Sequence, residues 1–229
     1  MNPKSLSIIV PVYNEELTVV SVMKKLMQTF PDAQIIYVDD GSKDGSLALL
    51  KSNARPQDKV VTKFNGGKGS AIREGLLYAE GSYTVIQDAD LEYEPSEIHE
   101  LLKTAQNENR EVVFGSRFLK KNPNIYKRFL LGNKAITLCV NLLFFSRLTD
   151  SYTCYKLLKT DLFKSLDIRA NGFDMEAEIC CKCLKRGIRI KEIPISYNPR
   201  TIEEGKKICL ADAFKGVWMM VKIRLGIKH

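Results

Sequence analysis

The chain has 229 residues, 45% of them hydrophobic and 27% charged, ordinary proportions for one large globular domain or two small ones. No uninterrupted apolar run reaches membrane-spanning length, so no segment reads as a transmembrane helix. A formal net charge of +8 favours anionic partners such as nucleotides or acidic lipid surfaces. No nucleic-acid recognition motif accompanies that charge, and nucleic acid is not expected among the partners.

The N-terminus passes from Met1-Asn2-Pro3-Lys4 straight into strand-like sequence, without a secretory pattern. The six cysteines (Cys139, Cys154, Cys180, Cys181, Cys183 and Cys209) are therefore expected to be reduced thiols. Cys180 and Cys183 form a Cys-x-x-Cys, but no second pair supports a zinc site. His99 and His229 are the only histidines. The segment has helical character, and its cysteines read as small apolar residues on a packed face.

Taken in order, Leu6–Val10 is a first strand, closed by Pro11 and the polar turn Tyr13-Asn14-Glu15-Glu16. Residues 17–30 carry apolar side chains at helical spacing. Ile35–Val38 is a second buried strand, running into Asp39-Asp40-Gly41-Ser42 and a helix over 46–52. Lys59–Lys63 is a third strand, followed by Asn65-Gly66-Gly67-Lys68-Gly69 and a helix over 71–79. Tyr83–Ile86 is a fourth. A helix over 95–106 precedes a fifth strand at Glu111–Gly115. Strand and helix alternate, which predicts an α/β fold with a largely parallel sheet flanked by helices. In such sheets the loops after the strands share one edge, where ligands bind.

The fourth strand ends in Gln87-Asp88-Ala89-Asp90-Leu91-Glu92. Carboxylates at alternate positions of an extended segment point the same way. Asp88, Asp90 and Glu92 are thus candidate ligands for a hard divalent cation, Mg²⁺ or Mn²⁺. The Gly-Gly-Lys-Gly loop lacks the spacing of a phosphate-binding Walker loop, and no Gly-x-Gly-x-x-Gly follows the first strand. Lys68 reads either as a phosphate or nucleotide-loop residue or as a plain helix-start lysine.

Beyond the sheet, 129–148 and 211–227 are mostly apolar helical patterns flanked by Lys and Arg. They fit helices lying at a membrane surface, or packed on the core or in a dimer.

Pro11-Val12-Tyr13-Asn14-Glu15, Val38-Asp39-Asp40-Gly41-Ser42, Asn65-Gly66-Gly67-Lys68-Gly69 and Asp88-Ala89-Asp90 occur in the order found in family 2 glycosyltransferases of GT-A fold. The chain resembles the dolichol-phosphate mannosyltransferase branch and other polyprenyl-phosphate glycosyltransferases. Gly115-Ser116-Arg117-Phe118, Leu148-Thr149-Asp150 to Thr153-Cys154-Tyr155-Lys156, and Pro194-Ile195-Ser196-Tyr197 to Arg200 extend the likeness. The resemblance implies a GT-A fold, with a Rossmann-like sheet and amphipathic C-terminal helices. Residues 1–117 would form the nucleotide-sugar half and 118–229 the acceptor half of one catalytic domain. Pro11, Tyr13, Glu15, Val38 and Asp40 would line the base and ribose. Asp88, Ala89 and Asp90 would approach the diphosphate, with Asp88, Asp90 and Glu92 on the metal. The mannosyltransferases commonly have Gln where this chain has Glu92. Arg117, Arg200 and Lys206 match positions that hold phosphates, a task suited to the planar guanidinium fork. Asp90, Arg117 and Arg200 would carry the chemistry.

The implied activity is an inverting, metal-dependent transfer from a GDP- or UDP-sugar to a polyprenyl phosphate. The enzyme would be peripheral at the cytoplasmic face of a membrane. A saccharide hydroxyl acceptor is the alternative, and it requires a general base. Asp150, Asp174 and Glu176 are the candidates.

Overall fold

The computed structural model describes residues 5–122, 127–200 and 210–227. Lys206 and Cys209 lie outside them. Seven strands form one sheet: β1 (Leu6–Val12), β2 (Gln34–Asp39), β3 (Lys59–Thr62), β4 (Tyr83–Ile86), β5 (Val112–Ser116), β6 (Lys156–Lys159) and β7 (Lys191–Pro194). Their order is β3-β2-β1-β4-β6-β5-β7. The strands β1 to β4 are mutually parallel, in the register Ile8 beside Ile35 and Val85. β6 runs antiparallel to both its neighbours, and β7 pairs parallel with β5. The largely parallel sheet is therefore mixed at one place. The inserted β6 comes from the second half of the chain and pairs with β4 and β5 of the first.

The helices are α1 (Val19–Thr29), α2 (Ser46–Asn53), α3 (Lys68–Tyr78), α4 (Ile98–Asn107), α5 (Lys127–Phe144), α6 (Thr160–Ser165), α7 (Met175–Lys185) and α8 (Leu210–Leu225). The buried face of α1, Val19, Val22, Met23 and Leu26, falls at the i, i+3, i+4, i+7 spacing of a core-facing stripe. Sheet and helices bury a continuous core through Ile8, Ile9, Ile35, Ile36, Val85, Phe114 and Leu157. The α7 segment buries Cys180, Cys181 and Cys183 completely, as free thiols within the core.

Two helix boundaries differ from the sequence expectation for identifiable reasons. The third helix begins at Lys68, because Gly67 takes φ +89° and turns the chain there. The fifth ends at Phe144, well short of 148. Its Asn141 side chain donates to the Leu148 carbonyl and accepts the Leu148 amide, and Phe145 turns left-handed at φ 53°. The polar residue in that apolar run is the device that stops it.

The α5 helix packs against α7 and α8. Its outer stripe, Leu131, Leu138, Leu142 and then Phe145, is exposed at spacings that share one helix face. On α8, Trp218 and Leu225 are exposed in the same way. The two stripes meet where the Arg224 guanidinium lies 5.7 Å from the Phe145 ring. Lys134, Arg147 and Arg224 are exposed around this apolar surface. No helix among the described residues is long and apolar enough to cross a membrane.

Candidate active site

The four parallel strands β1 to β4 end on one edge, and their following loops form one wall of a cleft of about 330 Å³. That edge brings Pro11, Tyr13, Glu15, Asp40, Lys68, Asp88, Ala89 and Asp90 together. The opposite wall comes from the end of β5 and the chain beyond it, with Arg117, Tyr152, Cys154, Phe173, Glu176, Tyr197 and Arg200. Of the sequence-nominated substrate residues that are described, Val38 alone does not line the cleft. It lies within β2 and is fully buried.

The first wall is rich in carboxylates, held by both backbone amides and cationic side chains. Asp40 accepts the amides of Gly66 and Gly67 at 3.0 and 2.7 Å and the Lys63 ammonium at 2.8 Å. It shapes the glycine loop as much as it faces the cleft. The glycines of that loop have a steric cause. A Cβ on Gly69 would lie 2.2 Å from the Ala170 carbonyl oxygen. The Gly69 amide itself donates to the Asn171 carbonyl at 2.8 Å. The loop is docked on the segment before α7, which delivers Lys68 to Asp88 and Glu176.

Lys68 Nζ lies 2.7 Å from Asp88 Oδ1, 3.0 Å from Asp88 Oδ2 and 3.1 Å from Glu176 Oε1. Burial disfavours its charge, but Asp88, Cys154 and Glu176 outweigh burial and hold its pKa well above the usual lysine value. Glu176 is shared with Lys156, a lysine with no exposed surface that also donates to the Thr153 carbonyl. Asp88, Lys68, Glu176 and Lys156 thus alternate in sign along one chain of contacts.

Asp90 is half-buried and accepts the Glu92 amide at 3.1 Å. Burial, reinforced by the Asp88 and Glu92 charges, pushes its pKa up to about 7. Negative charge is in excess there.

Glu92 does not join Asp88 and Asp90. Among the described residues no three His, Cys, Asp or Glu side chains gather as a metal site. Its carboxylate instead accepts the Tyr197 hydroxyl and the Arg200 amide, each at 2.8 Å. All three carboxylates line the cleft, with that of Glu92 engaged by Tyr197 and Arg200. The segment lacks the alternate, one-sided spacing expected of an extended strand, because Leu91 takes φ 62° and turns the chain. Glu92 fixes the segment that carries Arg200. The Arg200 guanidinium then forks onto Glu15 at 2.6 and 3.2 Å and reaches the Asp90 carbonyl at 3.1 Å.

Arg117 makes a buried bidentate pair with Asp150, at 2.7 and 2.8 Å, and stacks 5.0 Å from the Tyr197 ring. Glu192 holds the loop beneath it by accepting the Thr149 and Asp150 amides. Of the three candidate bases, Asp150 is committed to Arg117 and Glu176 to two lysines. Asp174 lies outside the cleft lining and accepts the Gly172 amide. Sequence reasoning missed Lys156 and the cleft residue Tyr93, whose ring is backed by the buried Tyr155 ring 4.9 Å away. A lysine inside the buried run Tyr155-Lys156-Leu157-Leu158 was the signal available for the first.

Residues 7–166 match the family model described as glycosyl transferase family 2. The chain belongs to that family. Its fold is the GT-A fold. The chain is 28% identical over 200 residues to the glycosyltransferase AglJ of Haloferax volcanii, covering 86% of this chain and 64% of AglJ. It is 36% identical over 129 residues to an uncharacterized glycosyltransferase, YkcC of Bacillus subtilis, covering 53% of this chain and 40% of that protein. The chain therefore spans less than two thirds of the length of either relative. Glucosyl-3-phosphoglycerate synthase of Mycobacterium tuberculosis superposes with a TM-score of 0.74 at 18% identity, over 99% of this chain and 81% of its own. Mannosyl-3-phosphoglycerate synthase of Rubrobacter xylanophilus does so at 0.73 and 19%, over 97% and 73%. Likeness at that identity concerns the fold.

Proposed function

We propose that this enzyme moves a sugar from a GDP- or UDP-sugar to a polyprenyl phosphate, with inversion, using Mg²⁺ or Mn²⁺, at the cytoplasmic face of a membrane. The observation that carries the acceptor class is the state of the candidate bases. Asp150 and Glu176 each hold strong cationic partners, and Asp174 lies outside the cleft lining. A hydroxyl acceptor needs a base within hydrogen-bond reach, whereas a phosphate monoester is already anionic and attacks without one. The attacking phosphate oxygen forms the bond to the anomeric carbon from the side opposite the nucleoside diphosphate. The bond from that carbon to the diphosphate breaks as the new one forms.

Asp88 and Asp90 fit a divalent cation of this kind. Mg²⁺ is commonly held by one or two carboxylates, its other ligands being waters and substrate phosphates. Asp90 stands close to the charges of Asp88 and Glu92, and an ammonium already sits on Asp88. A cation bound there supplies Lewis-acid neutralisation of the leaving diphosphate. Arg117 and Arg200 line the same cleft and are placed to steady phosphate oxygens. The M. tuberculosis neighbour, in which Mn²⁺, UDP and a phosphorylated product occur together, supports the same class of chemistry.

The membrane reading draws on the apolar surface of α5 and α8 with its surrounding cations, which suits an interfacial helix pair facing anionic lipid. The test is transfer from labelled GDP- and UDP-sugars to a short polyprenyl phosphate. Label extractable into organic solvent, lost with EDTA and absent in Asp90→Ala, is the expected result. Metal-dependent nucleotide-sugar binding without extractable label would transfer the assignment to a saccharide acceptor.

A further inference from the structure

The cleft has an unusual balance of charge. Its lining holds six carboxylates, Glu15, Asp40, Asp88, Asp90, Glu92 and Glu176, against three cations, Lys68, Arg117 and Arg200. A protein of net charge +8 thus presents an acidic pocket to a ligand that carries a diphosphate. Positive charge has to enter with that ligand, yet one protein cation already occupies the entry point. Lys68 Nζ spans both oxygens of Asp88, at 2.7 and 3.0 Å.

We propose that Lys68 is a resident cation that blocks Asp88 to a divalent metal until a nucleoside diphosphate arrives to draw the ammonium away. This inference rests on the metal-dependent nucleotide-sugar reading above. Divalent cations sit about 2 Å from a carboxylate oxygen. Either Asp88 oxygen would place the ion against the ammonium, and two cations so close repel strongly in a half-buried site. A diphosphate reverses the sign of the problem, because its oxygens accept the ammonium and also ligate the ion.

Glu176 makes the exchange local. It holds Lys68 from the other side at 3.1 Å, so the ammonium can leave Asp88 while keeping one carboxylate. Lys156, fully buried and outside the cleft lining, keeps Glu176 neutralised in either position. Four side chains with zero net charge therefore couple metal binding to nucleotide binding. By linkage each ligand raises the affinity of the other by the same factor.

The test is the affinity of Mn²⁺ alone, read from free Mn²⁺ by electron paramagnetic resonance, and then of Mn²⁺ with GDP or UDP. No acceptor is needed. Lys68→Met and Lys68→Gln should each bind Mn²⁺ alone more tightly, by about 5-fold or more, and should lose that factor from the nucleotide-metal coupling. The glutamine keeps hydrogen bonding to Asp88 without the charge, and decides the matter if the methionine variant does not fold. Lys25→Met, outside the cleft lining in an exposed pair with Glu94, should leave Mn²⁺ affinity unchanged. Mn²⁺ affinity at or below wild type in the folded Lys68 variants would overturn the gate while leaving the nucleotide-sugar reading intact. Wild-type protein that takes neither GDP nor UDP with Mn²⁺ would overturn both.

Discussion

The two walls of the cleft handle charge in opposite ways. On the strand-end wall, Asp40 is held largely by amides, and Asp90 meets one amide beside two other carboxylates. On the wall from the second half, charges are cancelled within the protein: Arg117 by Asp150, and Glu176 by Lys156 behind it. The first wall has charge left for a ligand to neutralise. The second is a preassembled scaffold that presents guanidinium and ammonium groups at fixed places. Removing a partner should therefore cost stability on the second wall and ligand binding on the first.

The strongest way to break that comparison is Asp150→Ala. Arg117 would be left buried without its partner, and the Arg117 amide would lose its acceptor. Breaking a buried pair from one side costs about 3–5 kcal/mol. For a chain of this size each kcal/mol lowers Tm by about 2–4 °C, so thermal unfolding should show a fall of roughly 6–20 °C. A Tm unchanged from wild type would mean that the second wall is not self-supporting.

Gly69→Ala acts at the seam where the walls touch. The new Cβ would meet the Ala170 carbonyl at 2.2 Å. Backbone cannot yield as a side chain does, and overpacking of this kind costs about 1–3 kcal/mol. The glycine loop would be pushed off Asn171 and Lys68 displaced with it. Nucleoside diphosphate affinity measured by calorimetry should fall together with Tm, whereas Asp150→Ala should lower Tm first.

Glu15→Gln tests the lighter side of the contrast. Its pair with Arg200 retains some solvent exposure on both partners, and pairs of that kind are worth about 0.2–1 kcal/mol. Arg200 keeps its contacts to the Asp90 carbonyl and Thr18. Tm should move by no more than about 2–4 °C, while a change in nucleotide-sugar KM exposes the loosened guanidinium. A larger loss of stability would erase the distinction between the walls.

The same contrast governs what the sequence disclosed. The strand-end wall was legible because each piece is local: an apolar run, then a polar loop, four times over. Parallel order put those loops on one edge, and Pro11, Tyr13, Glu15, Asp40, Lys68, Asp88 and Asp90 meet there as that pattern implies. The second wall depends on partners far apart in the chain. Glu92 is 105 residues from Tyr197 and 108 from Arg200, and no local periodicity reports such a pairing. Its local surroundings suggested a metal ligand instead. The short β6 was hidden because its four residues begin and end in lysine. Lys156 is buried only because Glu176, twenty residues on, meets it. The helix stop at Asn141 was visible as a polar interruption, but its meaning lay in bonds to Leu148.

The smallest stability effect belongs to a surface outside both walls. Leu138 and Leu142 are exposed on the outer stripe of α5, at 57% and 68% of their full area. Leu138→Glu with Leu142→Glu removes apolar area that the fold does not bury, and surface changes of this kind typically fall within about 0.5 kcal/mol each. Tm and Mn²⁺-dependent binding of GDP or UDP should match wild type. Co-sedimentation with vesicles containing anionic lipid should be lost, since two carboxylates on the apolar stripe oppose both insertion and attraction to the headgroups. Retained vesicle binding would assign the stripe to some other contact. A loss of nucleotide affinity would show that α5 is coupled to the cleft. The route for such coupling runs through α8, where a Cβ on Gly216 would lie 1.9 Å from the hydroxyl of the cleft residue Tyr152.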